Sequence, residues 1–199
     1  MKNINNYIQE KLNLSANKYT CKPKDKDELI KIIKERLKKD KDANLNDIDV
    51  SNITDMSYIF AEANFNGDIS EWDVGNVTNM VGMFQSSNFN GDISEWDVSN
   101  VEDMSYIFVS SNFNGDISEW DVGNVTNMVG MFQSSNFNGD ISEWDVSNVT
   151  NISWMFAYSE FNGDLSNWDV SNVKHMINIF HKCPLKNNPP KWYMNDKNH

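Results

Sequence analysis

Phe65-Asn66-Gly67-Asp68-Ile69-Ser70-Glu71-Trp72-Asp73-Val74-Gly75-Asn76-Val77-Thr78-Asn79-Met80-Val81-Gly82-Met83-Phe84 belongs to a 24-residue period that organises most of the chain. Tryptophan recurs at 72, 96, 120, 144, 168 and 192. Phenylalanine fills two columns, 60/84/108/132/156/180 and 65/89/113/137/161, which between them hold all 11 phenylalanines. Apolar residues keep the same step at 50, 53, 56 and 69 and at their equivalents. A fixed period of this length marks a repeat architecture, in which one unit cannot bury its apolar face alone and neighbours must stack. Residues 64–101 are identical to 112–149, which points to duplication of a two-unit block. Only the divergent copies test independently what a unit requires.

Within a unit, the spacing Ile69-x-x-Trp72-x-Val74 predicts a short strand, because Trp72 and Val74 share one face while Glu71 and Asp73 share the other. Asn76 and its equivalents follow that strand and are expected to hydrogen-bond the backbone of the stacked turn. Val77, Met80, Met83 and Phe84, at steps of three and four, predict a short helical return. Asn66-Gly67 is expected to supply a positive-φ turn into the next strand. The fold expected is therefore an α/β solenoid: a leucine-rich-repeat-like right-handed coil with short parallel strands, short helical returns and an N-terminal helical cap.

The organisation follows from the period. Residues 1–47 form the N-terminal cap, with an amphipathic helix over about 25–40 started by Asp25 or Asp27 and presenting Leu29, Ile30, Ile33 and Leu37 on one face. Residues 48–182 hold about six units. Residues 183–199 read as a degenerate last coil, with Leu185 and Trp192 still in phase, followed by a polar tail.

The unit Phe-Asn-Gly-Asp-Ile-Ser-Glu-Trp-Asp-Val-Ser-Asn-Val-Thr-Asn-Met-x-x-Met-Phe resembles the BspA-like leucine-rich repeats, a family described as a domain of unknown function (DUF285) common in host-associated bacteria. The segment Lys22 to Leu37 also resembles the helix preceding the repeats in that family. The resemblance implies a solenoid used for binding, often on a cell surface, and brings no catalytic residues to this chain.

Charge is distributed unevenly. The 199 residues carry a net −12, yet residues 1–47 hold 12 bases and 8 acids, residues 48–182 hold 2 and 20, and residues 183–199 hold 3 and 1. An acidic body repels phosphate, which argues against direct nucleic-acid binding. No apolar run approaches the length of a membrane span, and the expectation is no membrane insertion. Met1-Lys2-Asn3 is not followed by the apolar core of a signal peptide, and Cys21 lacks a lipidation context, so the expected location is cytoplasmic rather than the cell surface. Cys21 and Cys183 fall near opposite ends of the repeat array and are expected to remain free thiols.

No enzyme is read. The three histidines, His175, His181 and His199, fall in or after the last unit, and no nucleophile elbow or phosphate loop occurs. The Trp-Asp pairs lack the 40–45-residue period and the Gly-His element of WD40 blades. Asp47-x-Asp49-x-Ser51 fails as a calcium loop because Asn52 stands where glycine is needed and Tyr58 where glutamate is needed. Neither a metal site nor a cofactor is expected.

Two surfaces remain as candidates for partner binding. One is the acidic strand face: Glu71, Glu95, Glu119 and Glu143, with Asp73, Asp97, Asp121, Asp145 and Asp169. Regularly spaced carboxylates suit an unidentified protein with a basic surface. A divalent cation is the weaker ligand, since flat columns do not surround an ion with six to eight oxygens. A solubilising role that keeps edges apart is the plainest alternative. The other candidate is Tyr58, Tyr106 and Trp154, which alternate with Gly82, Gly130 and Asn178. As interface anchors they would be exposed; as packing, each would lean over the glycine of the adjacent unit. The function expected is a non-enzymatic scaffold for protein–protein interaction. The alternatives are a nucleic-acid-mimicking inhibitor of a DNA-binding protein, and a bacterial surface adhesin.

Overall fold

The structure, a computed structural model, describes residues 18–195. The expected tail beyond Asn195 and the start of the cap lie outside these residues. Six units stack in register, and the aromatic columns become continuous. Phe60, Phe84, Phe108, Phe132, Phe156 and Phe180 stack face to face with centroids 5.7–6.0 Å apart. The second column, Phe65 to Phe161, runs beside it at 5.8–6.3 Å. Every one of these phenylalanines is buried, and with valine, isoleucine and methionine they form one core along the stack.

The α/β solenoid with parallel strands and helical returns is not what forms. Among the described residues there are two α-helices, α1 (Lys26–Leu37) and α2 (Lys191–Asn195), one short 3-10 turn (Pro184–Lys186), and no strand. Parallel pairing is confined to isolated bridges such as Asp55 to Asn79 and Asn79 to Asp103.

The reason lies in where the backbone N–H groups go. In the segment read as a strand, the Trp72 N–H returns to the Ile69 carbonyl (3.2 Å) and the Val77 N–H to the Val74 carbonyl (2.8 Å). The N–H groups of Ser70 and Gly75 go to the carboxylates of Asp68 and Asp73. Local side-chain acceptors compete with an inter-strand ladder, and here they win. The segment is a succession of tight turns.

The segment read as a helical return is a different ribbon. Alternate N–H groups leave the coil: Met80, Gly82, Phe84 and Ser86 donate to Asp103, Ser105, Ile107 and Val109 of the next coil, at 2.8–3.0 Å. The intervening groups close four-residue turns, such as Met83 to Met80 and Gln85 to Gly82. An α-helix needs each N–H for the carbonyl four residues back, so the two patterns exclude each other. Two residues per coil also take positive φ. One column is Tyr58, Gly82, Tyr106, Gly130, Trp154 and Asn178; the other is Glu62, Ser86, Ser110, Ser134, Tyr158 and Lys182. A positive φ at the third position of a hydrogen-bonded turn is the type II geometry.

The expected positive-φ turn at Asn66-Gly67 is also corrected. Gly82 and Gly130 are the positive-φ glycines. Glycine in the Asn-Gly pair answers a need for space: a Cβ on Gly91 or Gly115 would stand 2.8–2.9 Å from the rings of Phe89 or Phe113.

At the N-terminal end α1 lies over the first coil, burying Leu29 and Ile33. Asp25 caps it by accepting the Glu28 N–H (2.9 Å), and the helix stops at Leu37, short of the expected 40. At the other end Trp192 stacks on Trp168 (6.5 Å) and Tyr193 meets Phe180 edge-on (5.1 Å).

Candidate functional site

The carboxylates of the acidic face are built into the turns that carry them. Asp97 Oδ1 accepts the Ser99 N–H (3.1 Å) and hydroxyl (2.6 Å). Asp73, Asp121, Asp145 and Asp169 accept the N–H two residues ahead in the same way. A parallel column, Asp68, Asp92, Asp116, Asp140 and Asp164, does likewise with its serines. These bonds favour the charged form. The Ser99 hydroxyl and then its N–H hold the Asp97 carboxyl below its ordinary range, and the Ser147 pair does so for Asp145. For Asp169 and Asp68 the backbone N–H of Ser171 and Ser70 leads. One face of each carboxylate is thus committed to the fold, and the residue remains exposed to solvent.

Glu71, Glu95, Glu119 and Glu143 are exposed beside this column. Glu71 is engaged from within the chain: Lys18 Nζ stands 2.8 Å from its carboxylate. Lys22 meets Asp49, the first-coil equivalent of Asp73, at 2.8 Å, and Lys26 meets Asp55 at 3.1 Å. Arg36 pairs Asp47 at 2.8 Å. Burial alone would raise the Asp47 carboxyl, but bonds from Thr20 and Arg36 outweigh it and hold it down. The basic N-terminal segment is therefore laid along the beginning of the acidic columns. Among the described residues no group of acids, histidines or cysteines is arranged to hold a metal ion.

The aromatic column combines both expected behaviours. A Cβ on Gly130 would lie 2.7 Å from the Tyr106 ring, and Gly82 is covered by Tyr58 in the same way. The rings lean over the glycines, yet Tyr58 is 50% exposed and Tyr106 37%. Packing fixes one ring face and leaves the other to solvent. Trp154 follows a different course, with its neighbour Asn178 in place of glycine and its ring 6.1 Å from that of His181.

Sequence reading did not pick out Tyr158, which is 45% exposed and lies 5.0 Å from the His181 ring, with Lys182 Nζ 5.0 Å above it. The signal was available: an aromatic stands in a column otherwise made of Glu62, Ser86, Ser110, Ser134 and Lys182. The acidic columns and this cluster occupy different parts of the coil, the first on the Trp-Asp-Val segment and the second on the turn ribbon.

No helix among the described residues is long and apolar enough to cross a membrane. No curated protein and no solved structure matches the chain. A family model described as "Mycoplasma protein of unknown function, DUF285" matches residues 30–133 and 88–192. These spans overlap and together cover well over half of the sequence, so the chain belongs to the DUF285 family.

Proposed function

We propose that this chain is a non-enzymatic scaffold that holds a protein partner with a basic surface against its acidic face. The surface consists of Glu71, Glu95, Glu119 and Glu143 with Asp73, Asp97, Asp121, Asp145 and Asp169; Tyr58, Tyr106 and Trp154, on the turn ribbon, are a separate candidate surface. The observation that carries the reading is internal. Lys18 and Lys22 already dock on the first members of these columns, and the later members repeat the same carboxylates with no cation against them among the described residues. The repeat's resemblance to BspA-like proteins, for which binding through the repeats is the implied role, supports the same reading.

The test exploits the turn chemistry. Asn79 and Asn151 accept the N–H two residues ahead (both 3.0 Å) just as Asp103 does (2.8 Å), so asparagine can replace aspartate in such a turn without losing the cap. Asp→Asn at 73, 97, 121 and 145 should leave folding intact and remove four charges. Affinity capture with the native chain is expected to retain proteins that salt releases and that the fourfold variant does not hold. If native and variant chains retain the same proteins, the acidic face is not the binding surface.

A further inference from the structure

We infer that the C-terminal edge of the stack is a second docking surface, one that takes an extended, acidic segment of a partner protein. Along the turn ribbon the ladder between coils runs one way; at its borders a few N–H groups of the later coil donate back, as Thr78 does to Thr54 and Asn88 to Ala63. At all five junctions between the six coils, four N–H groups of the earlier coil donate to carbonyls of the later one, each 23 residues ahead. The last coil keeps its local turns, with Ile179 bonded to Met176, His181 to Asn178 and Cys183 to Phe180. Its outgoing donors, the N–H groups of Met176, Asn178, Phe180 and Lys182, meet no carbonyl among the described residues. A row of unpaired backbone groups at the edge of a ladder is a template for another chain.

Polarity restricts what can fill it. Two copies meeting through this edge would set donors against donors. The complementary row in this chain, the carbonyls of Asp55, Ser57, Ile59 and Ala61, lies at the end on which α1 packs, where Lys26 bonds the Asp55 and Ser57 side chains, so a second copy could reach it only past the cap. The occupant must bring alternate carbonyls along the row; a donor is of use only at its border, where the Lys174 carbonyl is the equivalent of the Thr150 carbonyl that accepts the Lys174 N–H.

Charge restricts it further. The last coil reverses the pattern of the earlier ones at the columns bordering the row. Lys174 follows Thr54, Thr78, Glu102, Thr126 and Thr150; His175 follows Asp55, Asn79, Asp103, Asn127 and Asn151. Lys182 ends the column that Glu62 begins. From Val170 to Asn195 there are four lysines and no acid. Beside the row, Ile177 is 56% exposed, and Trp154, Tyr158 and His181 form the aromatic cluster already described. Donors, cations and apolar side chains meet on one edge, which fits an extended acidic peptide. This surface is opposite in sign to the acidic face and independent of it.

The probe is a labelled peptide with the sequence of residues 54–63. Its carbonyls at 55, 57, 59 and 61 are those the ladder would take next, and it carries Asp55 and Glu62. In the full chain alone the amide hydrogens of Met176, Asn178, Phe180 and Lys182 should exchange fast, unlike those of Ile152, Trp154, Phe156 and Tyr158 one coil earlier. With saturating peptide they should slow by about tenfold or more. Lys174→Glu with Lys182→Glu should weaken binding about tenfold. Neutralising the peptide instead (Asp55→Asn, Glu62→Gln) should do the same without touching the chain's fold. Absence of protection at saturating peptide overturns the proposal, and so does binding indifferent to both charge changes. Protection already present in the chain alone and rising with its concentration would assign the edge to a second copy and overturn it as well.

Discussion

Aspartate and asparagine do the same structural work in this chain and differ in charge. Each accepts the N–H two residues ahead, whichever of the two occupies the column. The acidic surface is thus carried on residues that the turns need anyway, and its columns hold aspartate, the charged choice, in every copy. The hydrogen bonds give a pH dependence with a definite sign. The carboxyls of Asp68, Asp92, Asp97, Asp116, Asp140, Asp145, Asp164 and Asp169 lie below their ordinary range when folded. On acidification the unfolded chain therefore binds protons first. Their contribution is complete above the unfolded value of about 3.9 and is lost as pH falls through the folded values. The urea midpoint should be nearly flat between neutral pH and about pH 5, then fall. A midpoint that rose below pH 4 would contradict the assignment. Backbone strain gives a second prediction at this scale. Ser110 holds φ +54 while exposed to solvent. Left-handed backbone costs an L-residue about 1–2 kcal/mol, and glycine loses about 0.5–1 kcal/mol of entropy on ordering. Ser110→Gly should raise stability by up to about 1 kcal/mol, read from the same denaturation curves.

The columns of Phe and Trp were fully legible from the period, and so was the role of asparagine after Val74. Asn76, Asn100, Asn124, Asn148 and Asn172 each donate to the backbone of the preceding coil at 2.6–2.9 Å. The path of the backbone between these columns was not legible. Trp72-x-Val74 places two side chains on one side of the chain whether the segment is a strand or a run of turns. What distinguishes them is the serine or glycine two residues after each aspartate, which marks the local bonds that replace strand pairing. Tryptophan has its own reason to be there. Trp120 Nε1 donates to the Ile93 carbonyl (3.0 Å), which also accepts the Trp96 N–H (3.2 Å), and every other Trp of the column reaches back 27 residues in the same manner. Trp120→Phe removes that bond between coils and should cost about 1–2 kcal/mol. Phe108→Ala opens a cavity in the stacked column and should cost about 3–5 kcal/mol. A loss under about 1 kcal/mol for Phe108→Ala would mean that the column collapses without penalty.

The whole molecule is a sum of nearly identical junctions closed by unlike ends. Deleting residues 88–135, two periods, joins Ser87 to Asn136 in phase and removes two coils without altering either end. The shortened chain should fold and unfold cooperatively with a lower denaturant slope and midpoint, because it loses junctions and no cap. Salt acts on the same scale. Ion pairs among the described residues all lie between Lys18 and Glu71 and take up Asp49, Asp55 and Glu71, while the other 17 acids of residues 48–182 line the stack with no cation paired to them among the described residues. Screening should relieve more repulsion than it removes attraction, so the melting temperature should rise on going from low to physiological ionic strength. A fall would show that the N-terminal ion pairs dominate.

The one-way ladder has an electrical consequence. Each peptide group in it points its N–H toward the C-terminal end and its C=O toward the other, four to a coil. Peptide dipoles of about 3.5 D aligned in this way outnumber the few that donate back and add along the stack, as they do in an α-helix, but in four columns and with the opposite sense relative to chain direction. The positive pole is the end that carries the four lysines, and the negative pole lies toward the cap. The molecule is thus a polar body by virtue of its backbone, since basic side chains gather at both of its ends. It should orient in an applied electric field, a property that transient birefringence measures, and the orienting moment should grow with every coil added.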